Sequence, residues 1–409
     1  MDERVSTLSN GLTIATDRVP GARSVAIGVW VAVGSRDEPP ELSGVSHFLE
    51  HLLFKGTPTR SAVDISRAVD RVGGDINAFT SKEYTAYYCR MPRRHAGVGF
   101  ELLGDVLTAS TIAADDVESE RQVILEELAM DDDSPDDVAL RQLGRQLFGD
   151  HGLGRDTAGG RATVRSITPD DVRQFFGEHY RTGATVVAAA GDIDHEHVVD
   201  RIAEAFGPMA AGDGRIARAA PGAPEDDMTI DDDSEQIHLA IGGRSVPRED
   251  PDREALDVVN HVFGGGLSSR LFDEIRERRG LAYSVYSATS AYADAGAWSV
   301  YAGTMPEHAP TVRSLIGAEL DRLVADGITD EELEVAAGYL VGAYEMGLED
   351  TGARMSRLGG MLATMGRVRP VDEQIRRWEQ VDHSAVRRVI DRVYGAAAPV
   401  TVAVGPVGS

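Results

Sequence analysis

The chain has 409 residues, more than a single hydrophobic core usually organises, so two domains are expected. It is 42% hydrophobic, yet no apolar run approaches the roughly 20 residues needed to span a bilayer, so no single membrane-spanning helix is expected. The formal charge of −26 repels nucleic acid phosphates and anionic lipid, and one cysteine rules out a disulfide framework or a cysteine-built zinc cage.

The opening "MDERVSTLSNG" is charged and carries no hydrophobic signal core, so a cytoplasmic protein without a membrane partner is expected. "SVAIGVWVAVGSRDEP" (24–39) reads as a strand running into a charged loop. Residues 44–55 read as a helix entered through Ser43 or Ser46 and stopped by Gly56, with Pro58 beyond. At about 100° per residue, Val45, Phe48, Leu49 and Leu52 form one stripe and His47, Glu50, His51 and Phe54 a second. His47 and His51 lie about 40° apart on their face, close enough for both imidazoles to reach one ion. Glu50 shares that face. The order is the reverse of HExxH, but the chemistry is the same: neutral imidazoles suit Zn²⁺, and a nearby carboxylate can take a proton from water attacking a carbonyl.

"GGDINAFTSKEYTAYY" (73–88) places two glycines before an alternating β run, a pattern suited to pairing with an extended peptide and equally to a plain hairpin strand. It ends close to Cys89, read as a small apolar residue on a buried strand. In "DVESERQVILEELAMDDD" the helical period puts Glu120, Val123, Ile124 and Glu127 on one face and Glu126 about 100° away. Glu127 is therefore the expected third ligand, and Glu120 a group that orients a histidine. The acid run "DDDSPDD" (131–137) reads as solvated surface.

The second half shadows the first. "DVRQFFGEHYRTGATVVAAAGDID" (171–194) is matched by "AVRRVIDRVYGAAAPVTVAVGPV" (385–407), and "LTASTIAADDVESERQVILEEL" (107–128) by "LVADGITDEELEVAAGYLVGAY" (323–344). "GPMAAGDGRIARAAPGAPEDD" (207–227) has the composition of a linker. Two duplicated α+β domains are expected, 1–206 and 228–409, each a mostly antiparallel sheet packed with helices. The second copy carries "VVNHVFGGG" and no HxxEH, and Ala336 and Ala343 stand where the first has Glu120 and Glu127. A purely structural need for those carboxylates would have applied to both copies, so chemistry is expected in the first alone.

"HFLEHLLFKGT" and "ERQVILEE" together resemble the pitrilysin and insulinase-type zinc metallopeptidases, the inverzincins, and within them the processing-peptidase branch. The resemblance implies one Zn²⁺ per chain held by His47, His51 and Glu127, with Glu50 as catalytic base and Glu120 beside the site. It implies a substrate-gripping strand edge at Asn77, Ala78 and Phe79. In "FGGGLSSRLFDEIRERRGLAYSVYS" (263–287) it implies that Arg276 holds a peptide carbonyl and that the Tyr283 hydroxyl donates to the tetrahedral oxyanion. Family enzymes form a clamshell of four such domains, so a homodimer with Arg276 and Tyr283 facing the partner's zinc is implied. The expected function is a zinc endopeptidase acting on unfolded or presequence-like peptides in an enclosed chamber. The alternative is a non-catalytic peptide-binding or assembly subunit of a processing-peptidase-like complex.

Overall fold

The computed structural model describes residues 2–406. The first six strands are β1 (Asp2–Thr7), β2 (Thr13–Arg18), β3 (Ser24–Val31), β4 (Asp75–Thr80), β5 (Thr85–Pro92) and β6 (Thr185–Gly191). They form one sheet in the order β1-β2-β6-β3-β5-β4, antiparallel throughout except where β2 meets β6. A second sheet takes β7 (Met228–Asp231), β8 (Ile237–Ser245), β9 (Ala282–Ala291), β10 (Gly296–Thr304) and β11 (Val400–Gly405) in the order β7-β11-β8-β10-β9. Its only parallel pair is β7 with β11. With β1 set aside, the two sheets have the same strand order and the same single parallel pair. The duplication in sequence is a duplication in topology, and the α+β class with two mostly antiparallel sheets is the observed one.

The 73–88 run is two strands. Ser81 and Tyr84 close a tight turn through Ser81 N–H to Tyr84 O at 2.9 Å, so β4 folds back on β5 as a hairpin and lies at the sheet's edge. Cys89 is buried on β5.

The central strands β3 and β6 are apolar on both faces, as expected where helices cover both sides of a sheet. On one face lie α1 (Val45–Leu52), α3 (Ala96–Ala109) and α4 (Ala114–Asp132), packed through Phe48, Leu49, Leu103 and Ile124; α2 (Ala62–Asp70) adds Ile65 and Val69. On the other face the helix Thr351–Met365 sets Met355, Leu358 and Leu362 against Trp30, Ala188 and Ala190.

The compact units differ from the linear boundaries 1–206 and 228–409. One holds the chain up to Leu128, Arg155–Arg218 and Met346–Val368; the other holds Ala129–Gly154, Ala219–Glu345 and the chain from Arg369 onward. Thus α5 (Pro135–Phe148), early in sequence, packs Leu143 and Leu147 against Ala240 and Val402 of the second sheet, while Thr351–Met365 belongs to the first. Each sheet needs an apolar helix on its second face, and each takes it from the other half of the sequence. Residues 207–227 hold no helix or strand.

Candidate active site

Helix α1 buries Val45, Phe48, Leu49 and Leu52 along the stripe its period predicts, which turns His47, Glu50 and His51 off the core. Its start is not capped by Ser43 or Ser46. Gly44 holds the N-cap position at φ +101°, and a Cβ there would sit 2.6 Å from the Ala158 carbonyl oxygen, so only glycine fits. The capping acceptor comes from the loop before it: the buried Glu38 carboxylate takes the backbone N–H groups of Gly44 (2.7 Å) and Ser46 (2.8 Å). An anion at this end also faces the positive end of the helix dipole. Burial raises the Glu38 carboxyl to about 7 despite those two hydrogen bonds.

Helix α4 brings its carboxylates to the same place. Glu120 and Ile124 are buried, Glu127 is at the solvent boundary, and Glu126 is exposed. Val123, expected on the inward stripe, is exposed instead. The inward face of α4 is narrower than the stripe drawn from period alone.

His47, His51 and Glu127 each offer a ligand atom within 4.8 Å of the others. Glu127 Oε2 lies 3.8 Å from His47 Nε2 and 3.6 Å from His51 Nε2. The two rings meet edge to face, centroids 4.7 Å apart. His51 Nδ1–H donates to Glu120 Oε2 at 3.0 Å, which fixes the proton on Nδ1 and leaves the Nε2 lone pair toward Glu127. His47 Nδ1 is buried with no hydrogen-bond partner among the described residues. Burial, and then the neighbouring His51 ring, pushes His47 down to about 4, against the opposing pull of Glu127 and Asp156. His47 is therefore a neutral imidazole at neutral pH, the form that coordinates metal.

The donor set fits zinc. Nitrogen and oxygen ligands at about 2.0–2.1 Å in a tetrahedron stand about 3.3 Å from one another, so the glutamate–imidazole spacings of 3.8 and 3.6 Å need only a small closure. Three protein donors with one donor at the solvent edge is the open arrangement of a catalytic site rather than a closed structural one.

Glu50 accepts the Thr80 hydroxyl at 2.7 Å, which ties it to the end of β4. Along β4 the pleat alternates, with Ile76, Ala78 and Thr80 partly covered and Asn77 and Phe79 outward. Asn77 folds its carboxamide oxygen onto the Ala78 N–H at 2.8 Å. A cavity of about 340 Å³ opens beside His51, walled by Phe54, Lys55, Ile65, Ile76 and Asn77.

Arg276 and Tyr283 belong to the other compact unit, where the guanidinium lies 4.8 Å from the centre of the Tyr283 ring and the ring is mostly exposed. Arg276 lines a cavity of about 630 Å³ in that unit with His261, Phe272, Tyr286 and Tyr339. Three residues of the first unit went unread in the sequence: Glu38, Thr80 and Lys55. Lys55 was within reach, since it follows His51 at i+4, and so was Thr80, on the covered side of the alternating run in β4, whereas Glu38 sits in a loop where no periodic signal exists.

Fold and site together define a duplicated α+β protein whose first half brings His47, His51 and Glu127 together as a group able to hold a metal ion. Residues 13–161 match the family described as Insulinase (Peptidase family M16), and residues 166–339 match the Peptidase M16 inactive domain. An uncharacterized zinc protease of Streptomyces coelicolor is 44% identical over 98% of this chain and 89% of its own length. One from Bacillus subtilis is 37% identical, covering 96% and 94%. The crystal structure of a peptidase M16 inactive domain from Pseudomonas fluorescens superposes with a TM-score of 0.94 at 20% identity, over 100% of this chain and 99% of that one. A protease from Helicobacter pylori gives 0.93 at 23%, covering 99% and 100%. The chain belongs to the insulinase-type M16 peptidase family.

Proposed function

We propose that this chain is a zinc-dependent endopeptidase of the HxxEH type that cleaves extended, unfolded peptide segments. The observation that carries the reading is the convergence of His47, His51 and Glu127 on one point, with Glu50 presented from the same helix face. Zinc bound by these three groups supplies a Lewis acid for the scissile carbonyl and lowers the pKa of a water. Glu50 takes the proton of the attacking water and passes it to the leaving amine. Thr80 holds Glu50 in one orientation, and Glu120 holds His51. The free edge of β4 at Asn77, Ala78 and Phe79 pairs with the substrate main chain, which makes sequence preference loose. Phe79, packed edge-on to Tyr84 and Tyr88, gives that edge an aromatic face.

Arg276 and Tyr283 complete the site from a second copy in a homodimer, holding a substrate carbonyl and the developing oxyanion. Mixing a Glu50→Gln protein with an Arg276→Ala protein tests this: activity returns if sites are shared between copies, and stays absent if each copy works alone.

The decisive experiment for the activity is chelator-sensitive cleavage of a quenched fluorescent basic peptide. The intact chain carries one zinc and turns the peptide over; Glu50→Gln keeps the zinc and loses at least about 100-fold in rate. Stoichiometric zinc without turnover, with Glu50→Gln indistinguishable from the parent, defeats the endopeptidase reading in favour of a peptide-binding subunit.

A further inference from the structure

Just past the end of α1 the chain turns, with Lys55 N–H bonded to Leu52 O at 3.0 Å, and the lysine side chain crosses to α4. Its Nζ lies 2.6 Å from Glu120 Oε1. The other oxygen of the same carboxylate, Oε2, receives His51 Nδ1–H. Lys55, Glu120 and His51 thus form a line that ends on the metal-facing nitrogen. The Glu120 side chain is 6% exposed, and that of Lys55 is 35% exposed. The two ends of the ion pair therefore differ: the carboxylate is buried, while the ammonium keeps contact with water.

A buried carboxylate facing only a neutral imidazole N–H would carry uncompensated charge and would be free to rotate toward solvent. Lys55 balances that charge and pins one oxygen, so the second has a single direction left, toward His51. The two imidazoles differ in this respect, because His47 Nδ1 has no such partner among the described residues. Orientation by hydrogen bonding falls on His51 only. In the duplicated half the place of Glu120 is taken by the buried Ala336, and the second copy carries no HxxEH.

We infer that Lys55 is a positioning residue for the metal centre, acting through Glu120 to fix the ring and tautomer of His51. This rests on the zinc reading of the site and goes beyond it by assigning the lysine. Groups that orient a ligand histidine typically change metal affinity about 10- to 100-fold when removed, and Lys55 stands one step further out.

The test uses the intact chain and zinc affinity measured by competition with a chromophoric chelator. Lys55→Met weakens zinc binding about tenfold, and Lys55→Arg stays within about threefold of the parent. The double variant Lys55→Met/Glu120→Gln binds zinc no more weakly than Glu120→Gln alone, because the lysine acts through the carboxylate. In metal-free protein, nitrogen–proton NMR correlations of His51 show the Nδ1–H tautomer in the parent and a mixture in Lys55→Met. Parental zinc affinity in Lys55→Met overturns the inference, as do losses that multiply in the double variant. A parent chain that takes up no zinc overturns the metal reading itself and the inference with it; that outcome is told apart because no variant enters it.

Discussion

Thr80 donates its hydroxyl to Glu50 Oε2 across 2.7 Å, joining the last residue of the edge strand β4 to the helix that carries both histidines. The candidate peptide-pairing edge and the candidate base are thereby one mechanical piece. A hydrogen bond to a charged group contributes about 1.5–3 kcal/mol, part of it realised only when the base is in place for proton transfer. Thr80→Val, which keeps the shape and deletes the donor, lowers kcat about 10-fold while zinc content and KM stay near parental. Steady-state kinetics with metal analysis on the same sample check this; a loss confined to KM assigns Thr80 to substrate pairing instead.

Glu127 and Glu126 are adjacent, yet they face about 100° apart on α4. Only Glu127 approaches both imidazoles, while Glu126 points to solvent. Glu127→Gln should cost zinc affinity at least about 100-fold, whereas Glu126→Gln changes stability by less than about 0.5 kcal/mol and leaves zinc bound. Removing zinc from the parent lowers its thermal midpoint, and adding zinc back restores it. At a free zinc concentration 1,000 times the dissociation constant the stabilisation is about 4 kcal/mol. Glu127→Gln loses most of that response and Glu126→Gln keeps it, a contrast that scanning calorimetry reads directly.

These two residues also show what the sequence makes legible. A helix repeats its faces every 3.6 residues, so His47 with His51, and Glu120 with Glu127, could be brought together on paper before any fold was known. The same duplication that exposed an empty second copy appears as two sheets of one topology. Period alone was too coarse for Val123, which lies at the margin of the inward stripe and proves exposed. Glu38 was illegible for a different reason. It sits in a loop, caps a helix six residues away, and displaces the serines that local capping rules favour. The exchange of α5 and Thr351–Met365 was hidden as well, because an amphipathic helix records that it needs a sheet and not which sheet.

Glu38 makes a pH prediction. Its folded carboxyl is raised to about 7 from an ordinary 4.5, chiefly by burial. Between those values the folded chain holds a proton that the unfolded chain has released, so stability falls as pH rises through that window. The contribution is fully present below about pH 4.5 and lost above about pH 7, a swing of about 3 kcal/mol at most. Glu38→Gln removes this titration and flattens that part of the curve. It also leaves one oxygen where two N–H groups converge, so the start of α1 loosens and zinc affinity falls. Urea unfolding at pH 5, 6, 7 and 8 checks the first claim: a parent and variant that keep a constant stability difference across that range rule it out.

Gly359 sets how closely the helix Thr351–Met365 can approach the sheet. A Cβ at that position would lie 2.0 Å from Trp30 Cε3, and the indole it meets is fully buried with no room to swing aside. Gly359→Ala must therefore push the helix outward, opening space along Ala188, Ala190 and Leu358. Overpacking of a filled core costs about 1–3 kcal/mol, well above the small gain an alanine brings to a helix interior. The expected result is a lower urea midpoint. Zinc affinity of the folded fraction is unchanged, since α1 and α4 line the opposite face of the sheet. Trimming the ring supplies the control. Trp30→Phe alone leaves a cavity and destabilises, but in combination with Gly359→Ala the added methyl enters the vacated space, so the double variant is more stable than the sum of its parts predicts. Strict additivity would locate the damage in the helix backbone rather than at the Trp30 contact.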